Sequence, residues 1–424
     1  MINDKIIAER ISLERKCGYW GVNSYYFFNK ADCLRYASKI KNFKVTFHYY
    51  DSVFQTITWD TEPNESLEQL YKKRAEQLRQ KYDYIALLFS GGADSTNVLD
   101  SFLKNNIPLD EVITYYPLKA IEKLKPLFNR NDKKSENMIF EFNEAASPKL
   151  REIAQKYPNV KITVIDNTDE AISAIMKNDI HNVSIGGLGT GPHLTGLRLV
   201  AERMRNYHEK DKATLVTGID KPRMAYYPKT KQFFTWFHDI SGHNGLHTRE
   251  ALGGYLPSFE AFYYTPDMPE LWKKACLIMK RKMEPIVESR PPFYNDILFN
   301  HPDARGLEIF DVHHLFFKQL LYKDWSENIF QVRKPKSYFF HEINSWCLDT
   351  SLTDKKFKDF HYGQTLEFIS GVDPKFILYD SKGKPLKFHD SRTKMITIDC
   401  IIPSEGTEVS LGLYSKNSHF SKEG

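Results

Sequence analysis

Cysteine is scarce in this chain of 424 residues: the five that occur, Cys17, Cys33, Cys276, Cys347 and Cys400, stand far apart and form no CxxC pair. An odd, scattered set argues against a disulfide framework or a zinc ribbon and fits a reducing compartment. Long hydrophobic runs are missing too. The apolar run Ile85–Phe89 stops far short of the ~20 residues that cross a bilayer, so no membrane partner is expected. The opening stretch, MINDKIIAERISLERK, carries charge in every turn and does not read as a secretory leader, which makes a cytoplasmic location the expectation. Glycine (21) and proline (20) are too few for a collagen-like or Pro/Gly-rich chain. Charge of one sign is also lacking. Lys+Arg 59 against Asp+Glu 54 leaves only +5, a thin excess for a dedicated nucleic-acid binder.

What is present is material for cores. Hydrophobic residues make up 41% of the chain, with Phe 29, Tyr 24 and Trp 6, which excludes a disordered protein. The length gives a prior of about two to three domains. Richness in Lys, Asn, Ile, Phe and Tyr with few Ala fits an AT-rich genome of viral kind. Four units are expected. Residues 1–62 read as a small α/β unit, with an aromatic strand in Tyr19–Phe28, a helix in Ala31–Ile40 and a hairpin whose strands flank Asp51-Ser52. Residues 63–230 alternate helix and strand. SLEQLYKKRAEQLRQKY has helical periodicity, and YIALLF is a continuous apolar run suited to a parallel sheet buried on both faces. EVITYYP, VKITVID and ATLVTGID follow as strands, with helices in TNVLDSFL, ASPKLREIAQKY (Ser147 as N-cap, Pro148 in the first turn) and LTGLRLVAERMRNYH. This rhythm predicts an α/β fold with a doubly wound parallel sheet. Residues 231–330 read as a helical region, including PELWKKACLIMKRKME, whose basic residues suit a solvated face or a polyanion contact. Residues 331–424 read as β-rich, in runs such as KFILYD, KMITIDCII and EVSLGLY.

The stretch that carries chemistry is YIALLFSGGADSTNVL. A strand ends at Phe89, Ser90-Gly91-Gly92-Ala93-Asp94 form a tight loop, and a helix opens near Ser95 and Thr96. Adjacent glycines let backbone N–H groups converge, and the helix N-terminus favours an anion. Ser90 and Ser95 add hydroxyl donors. Asp94 suits a phosphate site only with a divalent cation between them. The Walker pattern GxxxxGK[ST] is absent. The bland alternative is a Gly-Gly turn between strand and helix.

The S-G-G-x-D-S signature resembles the PP-loop of the N-type ATP pyrophosphatases, which include asparagine synthetase, GMP synthetase and NAD synthetase. The resemblance covers roughly Leu67 to Tyr227 and is nearest to the synthetase domain of asparagine synthetase, as in phage-encoded asparagine synthase-like proteins. It implies ATP and Mg2+ as cofactors: Ser90, Gly91, Gly92, Ser95 and Thr96 bind the departing pyrophosphate, and Asp94 holds the metal. A substrate oxygen then attacks the α-phosphorus to form an adenylate. The family's second loop, S-G-E-G-x-D-E, falls here on TLVTGIDKPRMAYY. Thr217 and Gly218 match its opening, Ile219 replaces its first Glu, Asp220 is offset, and Lys221 and Arg223 stand where further acids are expected. Those two cations suit charge stabilisation at the pyrophosphate, or a plain surface turn with solvated ends.

In IGGLGTGPHLTG, Gly187 and its neighbours allow close approach of a ligand or simply an irregular loop. His193 is read as a packing or capping residue. The histidines His238, His243 and His247 lack HExxH spacing and are read as a polar loop, and His313 and His314 as a helix face. An N-terminal glutaminase is not expected, because Ile2 stands where that family needs cysteine. The expectation is therefore an AMP-forming carbon–nitrogen ligase. It would adenylate a carboxylate or carbonyl acceptor, with an amine or ammonia as nucleophile, the ammonia drawn from solution or a supplying partner. Two alternatives stay open: a non-catalytic nucleotide-binding or assembly protein, and modification of a nucleobase or nucleic acid through the same adenylation.

Overall fold

The computed structural model describes residues 18–22, 25–27, 45–54, 56–119, 142–170, 193–207, 212–218, 223–227, 232–236, 258–289, 298–300, 308–310, 320–322 and 395–397. Its centre is a five-stranded, wholly parallel sheet. The strands are β4 (Tyr84–Leu88), β5 (Glu111–Tyr116), β6 (Lys161–Asp166), β7 (Ala213–Thr217) and β10 (Ser258–Ala261), in the spatial order β10-β7-β4-β5-β6. The expected run YIALLF forms the middle strand because both its faces are covered. Ile85 and Leu87 enter one core cluster and Ala86 the other.

Helices close both faces. On one lie α2 (Leu67–Lys81), α3 (Ala93–Leu103) and α4 (Ser147–Lys156), and on the other α5 (His193–Tyr207) contributes Leu197, Val200, Ala201 and Met204. The fold is α/β. Helix α2 starts at a capping box: Gln69 N–H donates to Ser66 Oγ at 3.2 Å, and Ser66 N–H donates to Gln69 Oε1 at 2.8 Å. Helix α4 departs from expectation at its start. A π turn, Phe142–Ala146, runs straight into it, so Ala146 takes the N-cap position in a helical conformation. Ser147 caps nothing there, and its Oγ instead accepts from Arg151 Nη1 at 3.0 Å.

Around this core the expected unit boundaries are crossed. In the N-terminal part, β1 (Gly18–Val22), β2 (Tyr25–Phe27) and β3 (Val45–Tyr49) form an antiparallel sheet in the order β2-β1-β3. The hairpin expected about Asp51-Ser52 is replaced by α1 (Asp51–Phe54), one helical turn that delivers Phe54 into the core. Its ring meets Trp272 edge-on at 5.3 Å, and burial there outweighs the local strand propensity. The strands on either side of the expected boundary at 230, β8 (Arg223–Tyr227) and β9 (Gln232–Trp236), pair with each other in a second, antiparallel sheet. That sheet runs β11-β12-β8-β9-β13, with β11 (Leu298–Asn300), β12 (Glu308–Phe310) and β13 (Met395–Thr397). Residues 231–330 are thus not only helical: they supply β9, β11 and β12 to this sheet and β10 to the parallel one. Within KMITIDCII, β13 pairs with β9, whereas KFILYD and EVSLGLY lie outside the described residues.

One long helix, α6 (Pro269–Ser289), joins the two sheets by packing against both α2 and β8. Its face of Trp272, Ala275, Cys276, Met279 and Met283 is buried as the periodicity predicts. Its cations are largely engaged at the turn before α2. Lys274 and Arg281 pair with Glu62 at 2.8 and 2.9 Å, and Lys273 Nζ donates to Thr61 Oγ1 at 3.1 Å. No helix among the described residues is long and apolar enough to cross a membrane.

Candidate functional site

In sequence order the parallel strands run third, second, first, fourth, fifth across the sheet, so the chain reverses its winding between β4 and β7. Open α/β sheets bind ligands in the crevice beyond the strand carboxyl ends at such a reversal. The loop Ser90–Gly92 leaves β4 at that point, and α3 begins at once. Gly92 is the N-cap and makes no side-chain capping bond, so it leaves the N–H groups at the positive end of α3 without a side-chain cap.

The loop is held by its own hydroxyls. Ser95 Oγ donates to the Gly92 carbonyl at 3.1 Å and receives the Ser90 N–H at 3.3 Å; the two hydroxyls are 3.2 Å apart. Gly92 N–H donates to Ser90 Oγ at 3.3 Å, and Thr96 N–H donates to the Gly92 carbonyl at 3.0 Å. Ser90 and Ser95 are therefore joined in one small network, with Thr96 in the first helical turn. Two glycines make the geometry attainable. Gly91 sits at φ +78°, and a Cβ there would lie 2.7 Å from Ala146 Cα, because the π turn packs over the loop. Gly218, the residue after β7, faces the start of α3, where a Cβ would approach Ser95 N to 3.0 Å and the Asp94 carbonyl to 3.1 Å. The first loop and the opening of the second, separated by more than a hundred residues, thus meet across the crevice.

Asp94 stands in the first turn of α3, beside a cluster of tyrosines the sequence did not single out. Tyr322 Oη donates to Asp94 Oδ1, and Tyr263 Oη donates to the Asp94 backbone carbonyl at 2.8 Å. Tyr71 Oη donates to the Leu321 carbonyl at 3.0 Å. All three phenols are pushed upward, chiefly by burial, with the negative charge of Asp94 adding to it, so they stay protonated donors. Together with Leu271, Trp272 and Leu321 they line a small crevice. A fourth tyrosine, Tyr116 at the end of β5, donates to the Ser90 carbonyl at 2.8 Å, and its ring meets that of Phe142 at a tilt, 5.3 Å between centroids. Tyr116 was legible as the end of a buried strand. Tyr263 and Tyr322 were not, since neither the bend after β10 nor the helical residues 320–321 before Tyr322 carry a motif.

Of the remaining sequence-derived residues, Gly187, Asp220 and Lys221 lie outside the described residues. Arg223 opens β8, at the start of the second sheet. Among the described residues no group of three or more His, Cys, Asp or Glu converges to form a cage for a metal ion. The site thus defines a class: an α/β protein with a glycine loop and helix N-terminus at the switch point of a parallel sheet. Comparison with models of known protein families finds no match, and no curated protein matches the chain.

Proposed function

We propose that this chain is an AMP-forming ATP pyrophosphatase of the PP-loop kind, built on a doubly wound sheet of the adenine nucleotide alpha-hydrolase type. The observation that carries the reading is the placement of Ser90–Ser95 at the carboxyl end of the middle strand, with Gly218 closing against it from the neighbouring strand. Backbone N–H groups of the loop and of the first turn of α3 receive the β- and γ-phosphates, and Ser90 and Ser95 present hydroxyls there. The donor set fits Mg2+. One carboxylate, Asp94, stands at the loop, and Mg2+ is commonly held by one or two carboxylates with substrate phosphates and water completing the shell. When bound, the cation supplies charge neutralisation at the leaving pyrophosphate.

The substrate is a carboxylate or carbonyl oxygen that attacks the α-phosphorus; ammonia or an amine then displaces AMP. Lys221 and Arg223 are the cations proposed to face the pyrophosphate from the second loop. The exchange of the family's acids for these cations also favours a second reading, a nucleotide-binding module without turnover. ATP labelled at the α- and γ-positions, incubated with Mg2+ and a panel of carboxylates and nucleobases, separates the two. AMP and pyrophosphate are the expected products. ADP and phosphate as the main products would refute the loop assignment, and tight ATP binding with no cleavage would favour the module.

A further inference from the structure

Asp94 is gripped from two sides by side chains distant in sequence. Tyr322 Oη donates to its Oδ1, and Tyr263 Oη donates to its carbonyl at 2.8 Å. Asn97 Nδ2, one turn along α3, donates to Tyr263 Oη at 3.0 Å. The segment bearing Tyr322 is itself pinned, since Tyr71 Oη donates to the Leu321 carbonyl. The rings of Tyr71 and Tyr263 lie 5.8 Å apart, and those of Tyr263 and Tyr322 6.1 Å apart. Tyr71, Tyr263 and Tyr322 are 6%, 5% and 4% exposed, so water does not replace a broken bond at no cost.

Resting on the reading of Asp94 as the metal-holding carboxylate, we infer that Tyr322 and Tyr263 are positioning residues that set the orientation of Asp94 and with it the loop's affinity for a divalent cation. A carboxylate already fixed by a hydrogen bond to one oxygen loses less freedom on binding an ion, and such supporting bonds are commonly worth 10–100-fold in metal affinity. Engagement of Oδ1 also favours ligation through a single oxygen. That suits the strict octahedron of Mg2+ better than Ca2+, which accepts bidentate carboxylates.

The test titrates Mn2+, as the spectroscopic stand-in for Mg2+, into the full chain with ATP present, followed by electron paramagnetic resonance and with melting temperatures measured alongside. The unmutated protein is expected to bind Mn2+ in an ATP-dependent manner, and Asp94→Asn to lose that binding. Tyr322→Phe keeps the ring and removes the hydroxyl; Mn2+ affinity is expected to fall on the order of 10–100-fold, with Ca2+ competing better than in the unmutated protein. In steady state the same variant raises the Mg2+ concentration for half-maximal rate while the rate at saturating Mg2+ recovers. Tyr263→Phe, which removes the bond to the Asp94 carbonyl, is expected to shift affinity in the same direction, and it carries the test if Tyr322→Phe does not fold. Unchanged Mn2+ affinity in the folded variants, with only a lower melting temperature, overturns the positioning role and leaves the Asp94 reading intact. Absence of ATP-dependent Mn2+ binding in the unmutated protein overturns both.

Discussion

At the residue scale, Gly91 is the tightest constraint in the loop. Its φ of +78° and the backbone of Ala146 packed where a Cβ would go leave no room for any other residue. Gly91→Ala is expected to destabilise by about 1–2 kcal/mol from the backbone conformation alone. Displacement of the 142–146 turn adds to this, and nucleotide binding should weaken more than stability does. Urea denaturation beside a fluorescent-ATP titration checks both, and a variant that binds like the unmutated protein would remove the loop from the site. Asp94 is the opposite case, a side chain whose loss should spare the fold. Asp94→Asn keeps an acceptor for the Tyr322 hydroxyl but removes the charge. Turnover is expected to fall by roughly 10²–10³ through lost electrostatic stabilisation, with a smaller effect on ATP affinity. ATP–pyrophosphate exchange measures the first and equilibrium binding the second; equal exchange in both proteins would count against a catalytic Asp94.

At the scale of elements, α2 is tied to the edge strand β10 by a buried charge network. The Arg74 side chain is fully buried, with Nη2 2.9 Å from Glu260 Oε2 and 3.0 Å from the Ala261 carbonyl. Glu260 also accepts from Lys81 Nζ at 2.8 Å and Tyr82 Oη at 2.5 Å. Burial works to raise the Glu260 carboxyl, but the charge of Arg74 and the bonds from Lys81 and Tyr82 outweigh it and hold the group below the usual 4.5. A carboxyl lowered in the folded state stabilises above its unfolded pKa, and that contribution is lost as pH falls through the lower, folded one. Stability should therefore drop on acidification below about 4.5. Glu260→Gln leaves the buried Arg74 with only the more distant Asp267, 3.9 Å away, as counter-charge; it should cost up to about 3–5 kcal/mol at neutral pH and flatten the acid limb. Urea midpoints across that range for both proteins decide it. A parallel loss in the two would assign the acid limb to other carboxylates, such as Asp166, which is also lowered.

At the scale of the whole molecule, Trp272 on α6 is where the N-terminal segment, the parallel-sheet domain and the tyrosine crevice converge. Its ring meets Phe54 at 5.3 Å, Trp59 at 5.7 Å and Tyr264 at 6.1 Å, all near edge-on, and it is 1% exposed. Trp272→Ala is expected to cost about 3–5 kcal/mol, since so large a void among rings is filled poorly by relaxation. Because the same side chain lines the crevice beside Tyr71, Tyr263 and Tyr322, cation binding at Asp94 should weaken as well. Thermal melts and Mn2+ titration of the variant report the two effects, and intact stability would show that α6 is not the hub of the core.

Local pattern alone determined the parallel strands 84–88, 111–116, 161–166 and 213–217, the helices between them and the loop Ser90–Ser95. Buried strands, amphipathic faces and a glycine turn leave their marks within a few residues, because each answers a constraint acting along the backbone. Gly218 was legible as the opening of a second loop, but only the strand order explains why it must be glycine. What tertiary structure decided is everything that joins distant segments. Strand β10 has no local signature and is defined by its pairing with β7. The run after Tyr50 reads as strand until Phe54 is seen buried on Trp272, whose packing turns it into helix. Tyr263 and Tyr322 carry no motif: hydroxyls aimed at the backbone carbonyl and the carboxylate of Asp94, more than 160 residues away, leave no periodicity in the chain. Proximity across the fold, and with it the environment of Asp94, comes from the packing of α2 and α6 over the sheet, which no local spacing encodes.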